Sequence, residues 1–139
     1  MRQLPPDLSL VLPCYNEEGL FVESVTRIME VLDASRVSYE IVFVDDASSD
    51  HTKRLIREFC TRYSFMHAVY HAKNCGRGQT VMDGIRASKG TVSGFIDIDC
   101  EVSPVYIPSM VSIMLKSMQM WSSEDGIIGP VRVRLSVKC

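Results

Sequence analysis

Short apolar runs alternating with segments of helical period constrain this chain more than any other feature. The runs are LSLVL (8–12), EIVFV (40–44), FMHAVY (65–70) and TVSGFI (91–96), with GIIGP (126–130) as a shorter fifth. Runs this short and this apolar suit strands covered on both faces. Between them, apolar side chains recur at helical spacing. One set is Phe21, Val25, Ile28, Met29 and Leu32; a second is Leu55, Ile56, Phe59, Cys60 and Tyr63; a third is Ile107, Met110, Val111, Met114, Leu115 and Met118. A further short helix is expected after the NCGRG loop, ending near Ser88 and closed by Gly90. Ser49 or Asp50 can cap the second helix, and Pro108 suits the first turn of the last.

The order is therefore β-α-β-α-β-α-β-α-β. It predicts an α/β fold with a mainly parallel, Rossmann-like sheet and helices on both faces. With 139 residues and 46% hydrophobic content, residues 1–139 are expected to form a single domain. The Met-rich third stripe reads as core packing. The tail VRVRLSVK (131–138) alternates apolar and basic residues and reads as a strand with one polar face, or as an unpaired end. No helix follows it, so the fold looks C-terminally truncated.

Composition narrows the function. A net charge of −2 gives no field for nucleic acid. The five cysteines are odd in number and lack CxxC or metal-finger spacing, which reads as reduced thiols in a cytoplasmic protein. The N-terminus lacks a signal peptide's apolar stretch, and no run approaches the ~18 apolar residues of a spanning helix. The segment reads as soluble. Work at the cytoplasmic face of a membrane, through a longer parent or a partner, stays compatible with that.

Chemistry concentrates at the strand ends. PCYNEE (13–18), DDASSD (45–50) and DIDCE (97–101) follow the first, second and fourth runs. Ligands of parallel sheets bind at the carboxyl edge, so the three clusters are expected to converge. Asp97, Asp99 and Glu101 would share one side of a continuing strand, whereas a turn after Asp97 would fan them apart. Carboxylates there need a positive partner. As hard oxygen donors they suit Mg²⁺ or Mn²⁺, and an ion held by few carboxylates keeps positions for phosphate oxygens. Lys73, Arg77 and the glycines of KNCGRGQ also suit phosphate, although no P-loop pattern is present. Blander readings stand beside each cluster: a solvated acidic turn, a helix-capping loop, a Pro-terminated strand. His51, His67 and His71 form no metal-ligand set by spacing and read as structural. Arg132 and Arg134 share a strand face, either a solvated edge or a site for an anionic acceptor.

In order, from about residue 8 to 130, these motifs resemble family-2 glycosyltransferases of GT-A fold. The nearest branch is that of dolichol-phosphate mannose synthases and polyprenyl-phosphate sugar transferases. LSLVLPCYNEE resembles the opening strand, EIVFVDDASSDHT the VDDGSxDxT segment, KNCGRGQTVMDGIRASKG the NxGxGxAxxxGxxxAxG segment, and GFIDIDCEVSP the strand ending in DAD. The resemblance implies a nucleotide-diphospho-sugar donor and a divalent metal. By matching position, Pro13, Tyr15, Glu17, Asp45, Asp97 and Ile98 would form the nucleotide site. Asp97, Asp99 and Glu101 would serve the metal, with Asp99 the direct ligand and Glu101 where relatives often have Gln. Asp97, Asp99 and Arg132 would carry catalysis, Arg132 standing in for the arginine of a G-S-R segment. Ala47 replaces a common Gly, and Ile98 a common Ala. The implied reaction is metal-dependent, inverting sugar transfer to an acceptor such as a polyprenyl or dolichyl phosphate. An ionised phosphate acceptor needs no strong general base.

Other readings are weaker. A haloacid-dehalogenase-type phosphatase also uses DxD, but wants Thr or Val where this chain has Glu101, and on its first strand. A receiver domain would need its acidic pair after strand one. A non-catalytic nucleotide-sugar-binding or partner-docking fragment is the main rival.

Overall fold

The computed structural model describes residues 3–125 and 133–136. The elements are β1 (Leu8–Cys14), α1 (Phe21–Asp33), β2 (Tyr39–Asp45), α2 (Thr52–Arg62), β3 (Met66–Tyr70), α3 (Arg77–Ala87), β4 (Val92–Phe95), a 3₁₀ turn (Pro104–Tyr106), α4 (Ile107–Asp125) and β5 (Val133–Ser136). The strands form one sheet in the order β3-β2-β1-β4-β5, every pair parallel. The first four expected strands are all present. The expected strand GIIGP lies outside the described residues. The alternating tail, read as a strand or an unpaired end, provides the described fifth strand and joins the sheet as a parallel neighbour of β4.

The chain runs outward from β1 through β2 to β3, then returns to place β4 on the other side of β1. That reversal opens a crevice at the carboxyl ends of β1 and β4. The register aligns Cys14 with Asp45, and Asp45 with Tyr70, so the clusters after β1, β2 and β3 end at one level.

Alternation along the central strands gives the sheet two different faces. Leu8, Leu10 and Leu12 join Ile41 and Phe43 beneath Phe21, Val25, Ile28 and Leu32 of α1, Ile56 of α2, and Ile107 and Val111 of α4. Phe21 anchors this side, with ring centroids 5.3 Å from Phe43 and 5.4 Å from Phe59. Full burial of each such side chain contributes roughly 1.5–3 kcal/mol. Met114, Leu115 and Met118 pack against the same core, as their stripe predicts. Val11, Val42 and Val44 face the other side, with Ile85 of α3 packed on them. The helix after DIDCE starts one residue before Pro108, behind a 3₁₀ turn opened by Pro104.

α3 lies close to the sheet because Gly84 has no side chain. A Cβ there would sit 2.3 Å from Val11 Cγ1 and 2.9 Å from Val44 Cγ2. Both valines are stiff at χ1 and belong to central strands, so neither can turn away cheaply. Gly84→Ala gains about 1 kcal/mol of helix propensity but incurs an overpacking cost of about 1–3 kcal/mol. The expected outcome is a net loss of stability, seen as a lower urea midpoint with an unchanged m-value.

Candidate active site

The ends of β1, β2 and β4 and the loop before α3 surround a cleft of about 240 Å³. Pro13, Tyr15 and Glu17 line it from the first cluster, Asn74, Gly76 and Arg77 from the glycine loop, with Asp46 and Asp97 between them. Separate motifs thus converge on one edge, as expected for a parallel sheet.

Local backbone turns make the convergence possible. Asn16, Ala47 and Cys100 have φ of 52°, 60° and 50°, one left-handed residue in each cluster. Asn tolerates that region; for Ala it costs about 1–2 kcal/mol. Ala47 stands where Gly would be free of that strain, and Ser48 N–H closes the turn onto Asp45 Oδ2 at 3.3 Å. The first two clusters are also stapled together. Asn16 Oδ1 accepts from Ser49 N–H at 2.8 Å and Asp50 N–H at 3.3 Å, while Glu17 N–H donates to Thr52 Oγ1 at 2.8 Å. The N-cap of α2 is His51 rather than Ser49 or Asp50; Asp50, one residue earlier, accepts from Thr52 N–H at 2.9 Å through Oδ1.

The adjacent acids of DDASSD have different fates. Asp45 is fully buried at the end of β2, with Lys53 Nζ 3.9 Å from Oδ2 and no hydrogen-bond partner for Oδ1. It does not line the cleft; Asp46 does. Asp46 accepts from Cys75 N–H at 2.7 Å and Gly76 N–H at 3.0 Å, and lies 2.7 Å from His71 Nδ1. His71 Nε2 in turn lies 3.0 Å from Asp83 Oδ2 on α3. One imidazole between two carboxylates therefore ties β2, β3, the glycine loop and α3 together.

These contacts set protonation. The hydrogen bond to Asp46 is the main influence on His71 and raises its pKa; burial opposes it and Asp83 adds to it. Burial alone would raise Asp46, but hydrogen bonds from His71, Cys75 and Gly76 outweigh it and lower the carboxyl. A raised His stabilises the fold fully below its unfolded value of about 6.5, and that stabilisation fades as pH rises through the folded value. A lowered Asp stabilises fully above about 3.9, and its contribution fades as pH falls through the folded value. The contribution of this pair to the urea midpoint, measured in EDTA, is expected to hold from about pH 4 to about pH 6.5 and fall on either side. His71→Asn is expected to remove most of the loss on the alkaline side.

DIDCE does not continue the strand. β4 ends at Phe95, and Cys100 N–H closes a turn on Asp97 O at 3.1 Å. Ile98 anchors that turn in the core at 1% exposure, so only its backbone could meet a ligand. Asp97 faces the cleft and forms a bidentate ion pair with Arg77, whose Nε lies 3.0 Å from Oδ1. Asp99 is exposed, its Oδ1 accepting from Glu101 N–H at 3.2 Å, and Glu101 is also exposed. Glu17 is raised above the usual carboxylate range, by burial first and then by the charges of Asp99, Asp97 and Asp50. Mutually repelling oxygen donors of this kind suit a hard divalent cation. Arg132 lies outside the described residues.

Sequence reasoning underrated Asp46, His71 and Asp83. Their contacts span 12 to 30 residues, and no local pattern announces them. The adjacent acids of DDASSD read as a helix-capping loop or as a contact to the nucleotide, and both side chains are buried.

The sheet order, with its acidic turn beside β1, is that of the GT-A fold. The chain superposes on the mannosyltransferase PcManGT from Pyrobaculum calidifontis, solved with GDP-Man and Mn²⁺, with a TM-score of 0.59 and 24% identity over 69% of this chain and 28% of that one. It also superposes on residues 1–349 of S. aureus TarS, with a TM-score of 0.62 and 19% identity over 81% of this chain and 33% of that one.

The chain belongs to glycosyl transferase family 2, which matches residues 9–120. It is 35% identical over 105 residues to an undecaprenyl-phosphate 4-deoxy-4-formamido-L-arabinose transferase of Edwardsiella ictaluri, covering 75% of this chain and 32% of that protein. It is also 35% identical over 111 residues to a dodecaprenyl-phosphate galacturonate synthase of Rhizobium johnstonii, covering 76% and 32%. The chain spans about a third of the length of these relatives.

Proposed function

We propose that this chain binds a nucleotide-diphospho-sugar with Mg²⁺ or Mn²⁺ and supplies the donor side of an inverting glycosyltransferase. One observation carries the reading: Glu17, Asp97 and Arg77 line one cleft, with Arg77 paired to Asp97 and the exposed Asp99 on the same turn. Acids and a guanidinium side by side suit a metal–diphosphate pair better than either ion alone.

In this reading Asp99 is the direct metal ligand, with Asp97 and Glu101 beside it. The ion, when bound, neutralises charge on the departing nucleoside diphosphate. Arg77 exchanges Asp97 for a phosphate oxygen. Tyr15, half exposed at 50%, offers its ring to the base or ribose, next to Pro13 and Glu17. Asp45, buried behind the cleft, serves the nucleotide site from beneath by holding the turn of the second cluster, and the backbone at Ile98 closes that site. Arg132 is assigned to the leaving diphosphate or an anionic acceptor.

The names of the 35%-identical relatives point to a polyprenyl phosphate as acceptor. Its oxygen is already ionised, which fits a site without a dedicated base. Transfer would then take place at the cytoplasmic face of a membrane. Among the described residues, no helix is long and apolar enough to cross one.

Titration calorimetry with UDP, GDP and CDP, each with Mn²⁺ and then with EDTA, tests the donor site. Binding of one nucleotide only with metal is expected, and names the base. No binding by any of them overturns the assignment for this chain. Metal-dependent binding without sugar transfer would favour the rival reading of a donor-binding chain that does not itself transfer, which the one-third coverage of its relatives makes worth testing.

A further inference from the structure

We infer that Asp46, His71 and Cys75 form a second cation site, of the zinc class, at the rim of the cleft and distinct from the Asp97–Asp99 turn. An Asp46 carboxylate oxygen, a His71 ring nitrogen and Cys75 Sγ lie within 4.8 Å of one another. The residues come from the end of β2, the residue after β3 and the loop before α3. Asp46 and His71 are 25 positions apart, so no spacing motif shows the set. The spacing of the histidines shows no metal-ligand set; the proposal for His71 rests on partners brought to it by the fold.

The donor types decide the metal class. An imidazole, a thiol and a carboxylate make a borderline-soft set that prefers Zn²⁺ to the hard ions suited to Asp97 and Asp99. Three protein ligands would leave a fourth, solvent-facing position open.

The second observation lies behind the ring. Asp83 Oδ2 takes His71 Nε2 at 3.0 Å, and Asp83 Oδ1 accepts from Gln79 Nε2 at 2.9 Å and Arg86 Nη1 at 3.0 Å. A carboxylate behind a ligating imidazole is the arrangement that fixes its tautomer and turns the other nitrogen toward a metal. Here that other nitrogen is Nδ1, the one facing Asp46. Asp46 is itself fixed by the amides of Cys75 and Gly76, which hold the cysteine's backbone beside it. Cys75 is exposed, its Sγ resting 3.2 Å from Lys73 O, so an arriving ion can reach it.

A bound ion would fix residues 73–76, whose Asn74 and Gly76 line the cleft next to Arg77. The site needs no nucleotide, so it stands or falls apart from the proposed transfer reaction.

The test is titration of the full chain, stripped with chelator, with Zn²⁺ and with Cd²⁺ as its spectroscopic substitute. One equivalent is expected to bind with near-ultraviolet thiolate-to-metal absorption, whatever further ion the Asp97–Asp99 turn takes. Cys75→Ser, an exposed change that leaves the fold intact, is expected to abolish that absorption. Asp83→Asn is expected to weaken Zn²⁺ binding by about 10–100-fold. Asp99→Asn is expected to leave it unchanged. Failure of the wild-type chain to bind one equivalent overturns the site. So does thiolate absorption that survives in Cys75→Ser, or Zn²⁺ binding lost in Asp99→Asn but kept in Cys75→Ser.

Discussion

Asp99→Asn is expected to weaken metal-dependent nucleotide binding by about 100-fold or more, while leaving the fold unchanged. The two halves of that result have separate causes. Asp99 is exposed, and among the described residues its side-chain hydrogen bond is one accepted from Glu101 N–H, which an Asn oxygen can also accept. Exposed changes of this kind usually alter stability by less than about 0.5 kcal/mol. The lost charge, by contrast, removes a hard anionic ligand that an amide oxygen replaces poorly. Calorimetry with Mn²⁺ and the preferred nucleotide reads the first half, and a urea midpoint the second. Asp97→Asn is less clean, because it also frees Arg77. Unchanged metal-dependent affinity in Asp99→Asn would move the ion's site away from this turn.

Asp46→Ala is expected to destabilise the fold by about 3 kcal/mol, more than any other single carboxylate replacement near the cleft. Its side chain is only 5% exposed and meets three donors: two backbone amides and an imidazole that is itself 10% exposed. Truncation leaves the Cys75 and Gly76 amides without their acceptor and a buried His71 with Asp83 alone. Denaturant unfolding measures the loss. Hydrogen exchange at Cys75 and Gly76 locates it, since those amides are expected to lose protection before α3 does. Asp45→Asn, one residue away, leaves this network untouched.

Much of the fold was legible because it rests on local periodicity. The apolar runs place β1 to β4, and the helical stripes place α1, α2 and α4. The expected strand GIIGP lies outside the described residues, and the alternating tail, read as a strand or an unpaired end, provides β5.

The site was legible to the level of its clusters. Pro13, Tyr15, Glu17 and Asp97 reach the cleft, as their strand-end positions require. Asp45 and Ile98 turn inward beside neighbours that turn outward, and backbone direction at a strand's end is set by the turn after it. Left-handed residues at Asn16, Ala47 and Cys100 make those turns, and only Asn16 belongs to a type that favours the conformation.

By itself, the sequence determined a parallel α/β sheet with its acids gathered at one edge, since apolar period and strand polarity are properties of the chain alone. The tertiary structure decided which acids meet which cations. Arg77 pairs with Asp97, and His71 joins Asp46 to Asp83 beside Cys75, because parallel crossovers return distant segments to one edge of the sheet. Contacts made across 20 or more residues depend on that return and on the close seating of α3 that Gly84 permits.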